Sequence, residues 1–212
     1  MPKVLPTPRR KYRILSRDRG QGVVEVALVL PMVVALIFAV LEYALAFHAV
    51  LSVNQASQNA AHIAAIVGNM DGADCIILEE VERTIATPAD RARVTEVAIQ
   101  RTALAGNMVH AANTWVRTGS TTCTHPDGST TTVPYSMTSQ GYPDAQRCVV
   151  LSGCPTMTPP RSTVDNVGVM VAYDHPRTTP LGSVLPMIGG SEPADDGWTF
   201  RKRNIFRMEP VL

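Results

Sequence analysis

The stretch VALVLPMVVALIFAVL, Val26 to Leu41, is 16 consecutive residues without a charge. Glu25 precedes it, Glu42 follows it, and the apolar character resumes in Tyr43-Ala44-Leu45-Ala46-Phe47. The 25 residues from Val23 to Phe47, wound as a helix, reach about 37 Å and so span a hydrocarbon core of roughly 30 Å. This segment divides the chain into a short basic tail before it and a longer polar body after it.

The charge is distributed to match. Residues 1–20 hold seven bases (Lys3, Arg9, Arg10, Lys11, Arg13, Arg17, Arg19) and one acid, Asp18. Of the 19 Lys+Arg and 18 Asp+Glu in the chain, 12 and 17 remain beyond residue 20, a balance of −5. A net-acidic body argues against nucleic acid as a partner, because phosphate binding needs clustered Lys and Arg. A basic flank abutting an apolar run places residues 1–20 on the cytoplasmic face and the C-terminus outside. The expected arrangement is single-pass in the cytoplasmic (inner) membrane, with lipid around the span.

Two rival readings share this pattern. A cleaved secretory signal would use Ala44-Leu45-Ala46 as its small-x-small site, but the apolar stretch exceeds an ordinary signal core and Glu42 stands just before that site. A plain anchor without processing needs nothing beyond the span. A third reading turns on Glu25. A carboxylate near the start of an apolar helix costs on the order of 2.5–3.5 kcal/mol if carried to the bilayer centre, and less near the interface.

The residues around it read Arg19-Gly20-Gln21-Gly22-Val23-Val24-Glu25-Val26-Ala27-Leu28. A basic leader, a Gly, four residues and then a Glu opening an apolar helix resembles the type IV prepilin processing site. The resemblance implies a peptidase cut after Gly20, which makes Gln21 the first mature residue and Glu25 the fifth. It also implies that Glu25 sets register by pairing with the N-terminal amine of a neighbouring subunit. Partnering suits the physics, because a buried carboxylate is costly alone. One departure is visible: Val26 stands where many pilins of the Flp subclass have Tyr.

Over about residues 19–67 the segment is similar to the TadE-like family, minor pilins or pseudopilins of the tight-adherence (Flp, type IVc) pilus system. The matching residues are Glu25, Ala27, Leu28 and Pro31, then Glu42, then Gln55 to Ala61 (Gln-Ala-Ser-x-x-Ala-Ala). A weaker similarity follows at Val171-Ala172-Tyr173, Thr179-Pro180-Leu181 and Phe206-Arg207-Met208-Glu209-Pro210. The resemblance implies contact with a prepilin peptidase, a major pilin, other minor pilins and the inner-membrane assembly platform. The resemblance is compatible with entry into an extracellular pilus, with priming of the fibre and with assistance to secretion alone. Pro31 and Glu42 are the expected helix-packing positions.

Beyond the span, Leu51, Ala56, Ala60, Ile63 and Val67 form a stripe that extends the helix over 21–67, with Gly68 and Asn69 as stop signals. Pro31 removes one helical hydrogen bond within the spanning half. Residues 68–107 read as helical. Ile76, Ile77, Val81 and Ile85 mark one helix, and Thr87-Pro88-Ala89-Asp90 caps another through Val94, Val97, Ala98 and Leu104. Residues 108–212 read as a β-rich head. Its candidate strands are Thr114–Arg117, Cys148–Leu151, Val167–Tyr173 and Trp198–Phe206, and residues 119–146 form a Ser/Thr/Gly/Pro-rich loop. The expected class is α+β: a long pilin-type transmembrane helix, further short helices and a small antiparallel sheet.

Cys75, Cys123, Cys148 and Cys154 all follow the span, which suits an oxidising compartment and up to two disulfides. Three pairings exist and spacing does not select one. In one of them Cys148–Cys154 closes a short loop and Cys75–Cys123 staples helix to sheet. Metal is not expected, since Cys123-Thr124-His125 with Cys148 and Cys154 lacks C-x₂-C or H-x₃-H spacing. The five His residues are scattered without a nucleophile elbow, and Gly189–Gly197 lacks the alternating ligands of a calcium loop. No catalytic residue and no cofactor are assigned. The chain is read as a binding protein rather than an enzyme, with an anchored extracytoplasmic hydrolase as the enzymatic alternative. Arg201-Lys202-Arg203 is read as a solvated strand edge.

Overall fold

The computed structural model describes residues 18–85, 89–103, 109–125, 127–149, 154, 163–176 and 197–208. Helix α1, Asp18–Val67, runs without interruption through Pro31 for 50 residues, about 75 Å of helix. It stops where Gly68 adopts φ 53°, with the Gly68 amide bonded back to the Ala64 carbonyl at 3.1 Å. Glycine takes this left-handed turn without a Cβ penalty. A Cβ there would also meet the Val149 side chain at 2.9 Å. Helix α2, Ala73–Thr84, returns along α1 and buries Ala73, Ile77, Leu78 and Val81 on one face.

Among the described residues seven strands follow: β1 Val94–Thr102, β2 Val109–Val116, β3 Thr121–Thr124, β4 Thr130–Val133, β5 Ser136–Gln140, β6 Asn166–Pro176 and β7 Gly197–Arg207. Five of them form an antiparallel sheet in the order β5-β2-β1-β6-β7, while β3 and β4 pair separately as a hairpin. The class is α+β, as expected.

Several local expectations are corrected. Residues 94–102 form the central strand β1, not a helix. Val94, Val97 and Ala98 fit a helical spacing over a short apolar run, which periodicity alone does not separate from a buried strand. Five of the nine residues are β-branched, and β2 and β6 flank the strand on both sides, a setting that favours extended chain. The loop expected over 119–146 is also structured. It holds β3, β4, β5 and a 3-10 turn at Asp144–Gln146, because its Thr residues suit a pleated surface. The β3–β4 hairpin turns at Gly128 (φ 81°), where Asp127 Oδ1 accepts from the Ser129 amide at 2.9 Å.

Of the stripe on α1, Ala56, Ala60 and Val67 are buried, but Leu51 is exposed and Ala49 and Val53 take the buried places. Strand β2 begins earlier than expected, and β6 and β7 each exceed the expected strand. Cys148 and Val149 lie in no strand. The leader over 1–17, Thr87-Pro88, Leu104, Leu151, Thr179-Pro180-Leu181, most of Gly189–Gly197 and Glu209-Pro210 lie outside the described residues.

The core lies between the second half of α1, α2 and one face of the sheet. Val167, Val169, Val171 and Tyr173 of β6 point into it. Ala56, Ala60, Ala61 and Ala64 on α1 are fully buried, and these small side chains let the helix approach the sheet closely. Ser57 Oγ donates to the Val169 carbonyl at 2.7 Å inside this contact.

Candidate assembly surface

The first half of α1 extends away from the packed core. Every residue from Gly22 to Val34 is exposed, and none from Gly22 to Leu41 is buried. Leu28 and Met32 expose 71% and 75% of their surface, on a helix whose most apolar 18-residue window has mean hydropathy 2.8. Exposed contiguous apolar surface of this size needs a partner or a membrane. From Val23 to Leu41 the protruding part is about 28 Å long, close to the hydrocarbon thickness. The helix fits a single-pass membrane protein.

The head begins immediately beyond. Glu42 is 5% exposed and sits beside His175 at the end of β6. Burial holds the His175 imidazole below its ordinary range; the Glu42 charge opposes that shift and Arg93 reinforces it. His175 stacks on Trp198 at 6.0 Å and on Phe200 at 6.0 Å, and Trp198 lies 6.2 Å from Tyr43. Higher up, Asn204 Nδ2 donates to Ser57 Oγ at 3.1 Å, and Phe206 meets His62 edge-on at 5.7 Å. Strand β7 therefore runs alongside α1 in the same direction, from the apolar half of the helix upward. Tyr and Trp at the end of an apolar span are placed as membrane-interface anchors are.

A buried polar network holds the far end of the head. Arg147 is fully buried and pairs with Asp74 and, at 2.9 Å, with Asp144. Asp74 Oδ2 accepts from Asn113 at 2.7 Å and from the Trp115 indole at 3.2 Å. Tyr142 donates to Asp165 at 2.9 Å, and Asp165 also accepts from the Cys148 amide at 3.0 Å. The Asp144 carboxyl is pushed up to about 6, because burial and the neighbouring Asp74 outweigh Arg147. Nearer the membrane, Arg117 joins Glu82 and Tyr135, tying β2 to α2.

The cysteines form Cys75–Cys123 and Cys148–Cys154. The first clamps α2 to the β3–β4 hairpin, and none of the four is left free for metal. His125 instead contacts Glu79 at 3.0 Å and Thr131 at 2.9 Å. Among the described residues no group of three or more His, Cys, Asp or Glu is arranged to hold a metal ion.

The positions singled out in the sequence do not form one cluster. Gly20 and Gln21 fall in the first turn of α1, since the helix starts at Asp18 rather than at residue 21. Glu25 and Pro31 lie on the exposed apolar half, and Glu42 lies at the junction with the head. Sequence reasoning missed Asp74, Asn113, Trp115 and Arg147. Their separations of 39 to 73 residues leave no local pattern. Only a lone Arg among polar turn residues hints at them.

Comparison with known families matches residues 20–62 to the family described as TadE-like protein. No curated protein and no solved structure matches the chain. The matched residues contain Glu25, Ala27, Leu28, Pro31, Glu42 and Gln55 to Ala61, so the similarity to the TadE-like family lies in residues 20–62, within α1.

Proposed function

We propose that the chain is a minor pilin or pseudopilin that takes part in assembling a type IVc (Flp/Tad) pilus, acting by contact rather than by catalysis. The observation that carries the reading is the division of α1. Its first half is largely exposed and, apart from Glu25, without charge from Gly22 to Leu41, and its second half is built into a head of α2 and an antiparallel sheet. A helix divided in this way is stored in a bilayer and can exchange lipid for other helices of the same kind, since both solvate apolar side chains.

In this reading residues 1–20 are a cytoplasmic leader. Residues 21–67 are the helix, with about 23–47 in or at the membrane, and the head over 68–107 and 108–212 lies outside. A prepilin peptidase cuts between Gly20 and Gln21. That bond lies in the first turn of α1, where amide groups lack intrahelical partners and the turn frays at little cost. Glu25 then sets axial register against the new amine of a neighbour. Glu42 fixes where the head sits on the helix. The other partners are the major pilin, further minor pilins and the inner-membrane assembly platform. The family match supports a pilus-associated role.

The test is complementation. Cells lacking this chain should lose sheared fibres, and the unaltered chain should restore them. A Glu25→Gln copy should remain in the membrane yet restore few or none. Normal fibre yield without the chain would end the proposal.

A further inference from the structure

The two flanks of the head carry opposite charge. Among the described residues strand β7 is a sheet edge, paired only with β6, and it holds Arg201, Lys202, Arg203 and Arg207 with no acid. Arg201, Arg203 and Arg207 are exposed. The opposite flank consists of α2, the β3–β4 hairpin, β5 and the turn at Asp144. There the described residues of 71–85 and 109–149 contain seven Asp and Glu against three Arg. This flank also bears a groove of about 350 Å³, lined among others by Asp71, Asp74, Asp144, Trp115, Met137 and Gln140. Arg147 is shared between Asp74 and Asp144, and Asp71 is exposed and has no ion pair among the described residues.

The groove and the basic edge stand at one height on the head. Sheet register aligns Trp115 with Val97, Val171 and Lys202, and Asn113 with Ile99, Val169 and Asn204. Resting on the membrane reading above, all copies point the same way along α1. A side-by-side contact then brings either like flanks together about a two-fold axis or unlike flanks together in a head-to-tail series. Like flanks place four cations against four cations, which electrostatics disfavours.

We propose that β7 of one copy docks against the α2–β5 flank of a second copy, with Arg201 and Arg203 facing the Asp71–Asp144 groove. The indole of Trp115 and the thioether of Met137 supply an apolar wall for an arginine stem, and the carboxylates take the guanidinium. A heterologous contact of this type leaves one flank of each outer copy unused, so a further pilin head can add there.

The experiment is pairwise cross-linking of full chains in membranes. All native cysteines are disulfide-bonded, so introduced thiols report alone. One copy carries Arg203→Cys and the other Gln140→Cys, joined by a short bifunctional thiol reagent. Leu36→Cys on the apolar half of α1, in a separate pair, reports helix contact. The expected result is a mixed 203–140 product, with little 203–203 or 140–140 product. Adding Arg201→Glu to the first copy, or Asp71→Lys to the second, should lower the yield about tenfold, the effect of roughly 1.4 kcal/mol. Adding both should restore it, which a folding defect would not do. A 203–203 product, or helix cross-linking without the mixed product, overturns the docking and leaves the bundle reading standing. Loss of both products overturns the two together, and the mixed product without helix contact overturns the bundle reading alone.

Discussion

The Trp198 ring on β7 lies 6.2 Å from the Tyr43 ring on α1, two residues beyond Leu41, the end of the bare apolar segment. In the proposed membrane reading this contact marks the boundary between a part of the molecule stabilised by lipid and a part stabilised by its own core. The two parts should therefore fail separately. Trp198→Ala should lower head stability by about 1 kcal/mol or more through the lost aromatic contacts, and leave membrane retention intact. Ile37→Arg should do the reverse, since an arginine near mid-span costs about 2.5–3.5 kcal/mol on insertion. Carbonate extraction and thermal denaturation of the two variants check this. Coupled loss of both properties in either variant would argue against the boundary.

The Arg147–Asp74 pair should be costly to break from one side. Removing one partner of a buried ion pair leaves the other charge uncompensated, at about 3–5 kcal/mol. Arg147→Met and Asp74→Asn are each expected to lower the denaturation midpoint strongly. The double variant should lose much less than the sum of the two.

The disulfides should differ in weight. Cys75–Cys123 joins residues 48 apart and Cys148–Cys154 residues 6 apart. Chain-entropy arguments then give about 4 and about 2 kcal/mol respectively. Denaturant titration of the paired Cys→Ala variants should rank them in that order.

Asp144 sets a pH dependence. Its folded carboxyl is raised to about 6 from 3.8, chiefly by burial. A raised acid binds more protons in the folded state, so its stabilising contribution is full below about pH 3.8 and is lost as pH rises through about 6. Asp144→Asn should flatten the stability profile across that window. A steeper fall in the variant would contradict the assignment.

The fold class and the TadE-like similarity of residues 20–62 were legible because they rest on local patterns. An uncharged run from Val26 to Leu41 and a Gly20–Glu25 spacing need no tertiary knowledge. Val167 to Val171 announced β6 by strict alternation. Strand β1 was not legible, because Val94, Val97 and Ala98 satisfy two periodicities and only pairing on both edges decides between them. The Thr-rich hairpin was hidden by a composition shared between loops and exposed strands. The Arg147 network was invisible for another reason: its partners meet only when α2, β2 and the segment at 142–148 converge.

The measurement that bears most directly on the pilin reading is the intact mass and N-terminal sequence of the full-length protein extracted from membranes of cells carrying the pilus machinery. The account predicts a chain beginning at Gln21, with Glu25 as its fifth residue. A chain that retains residues 1–20 would contradict processing and leave an unprocessed single-span anchor in its place.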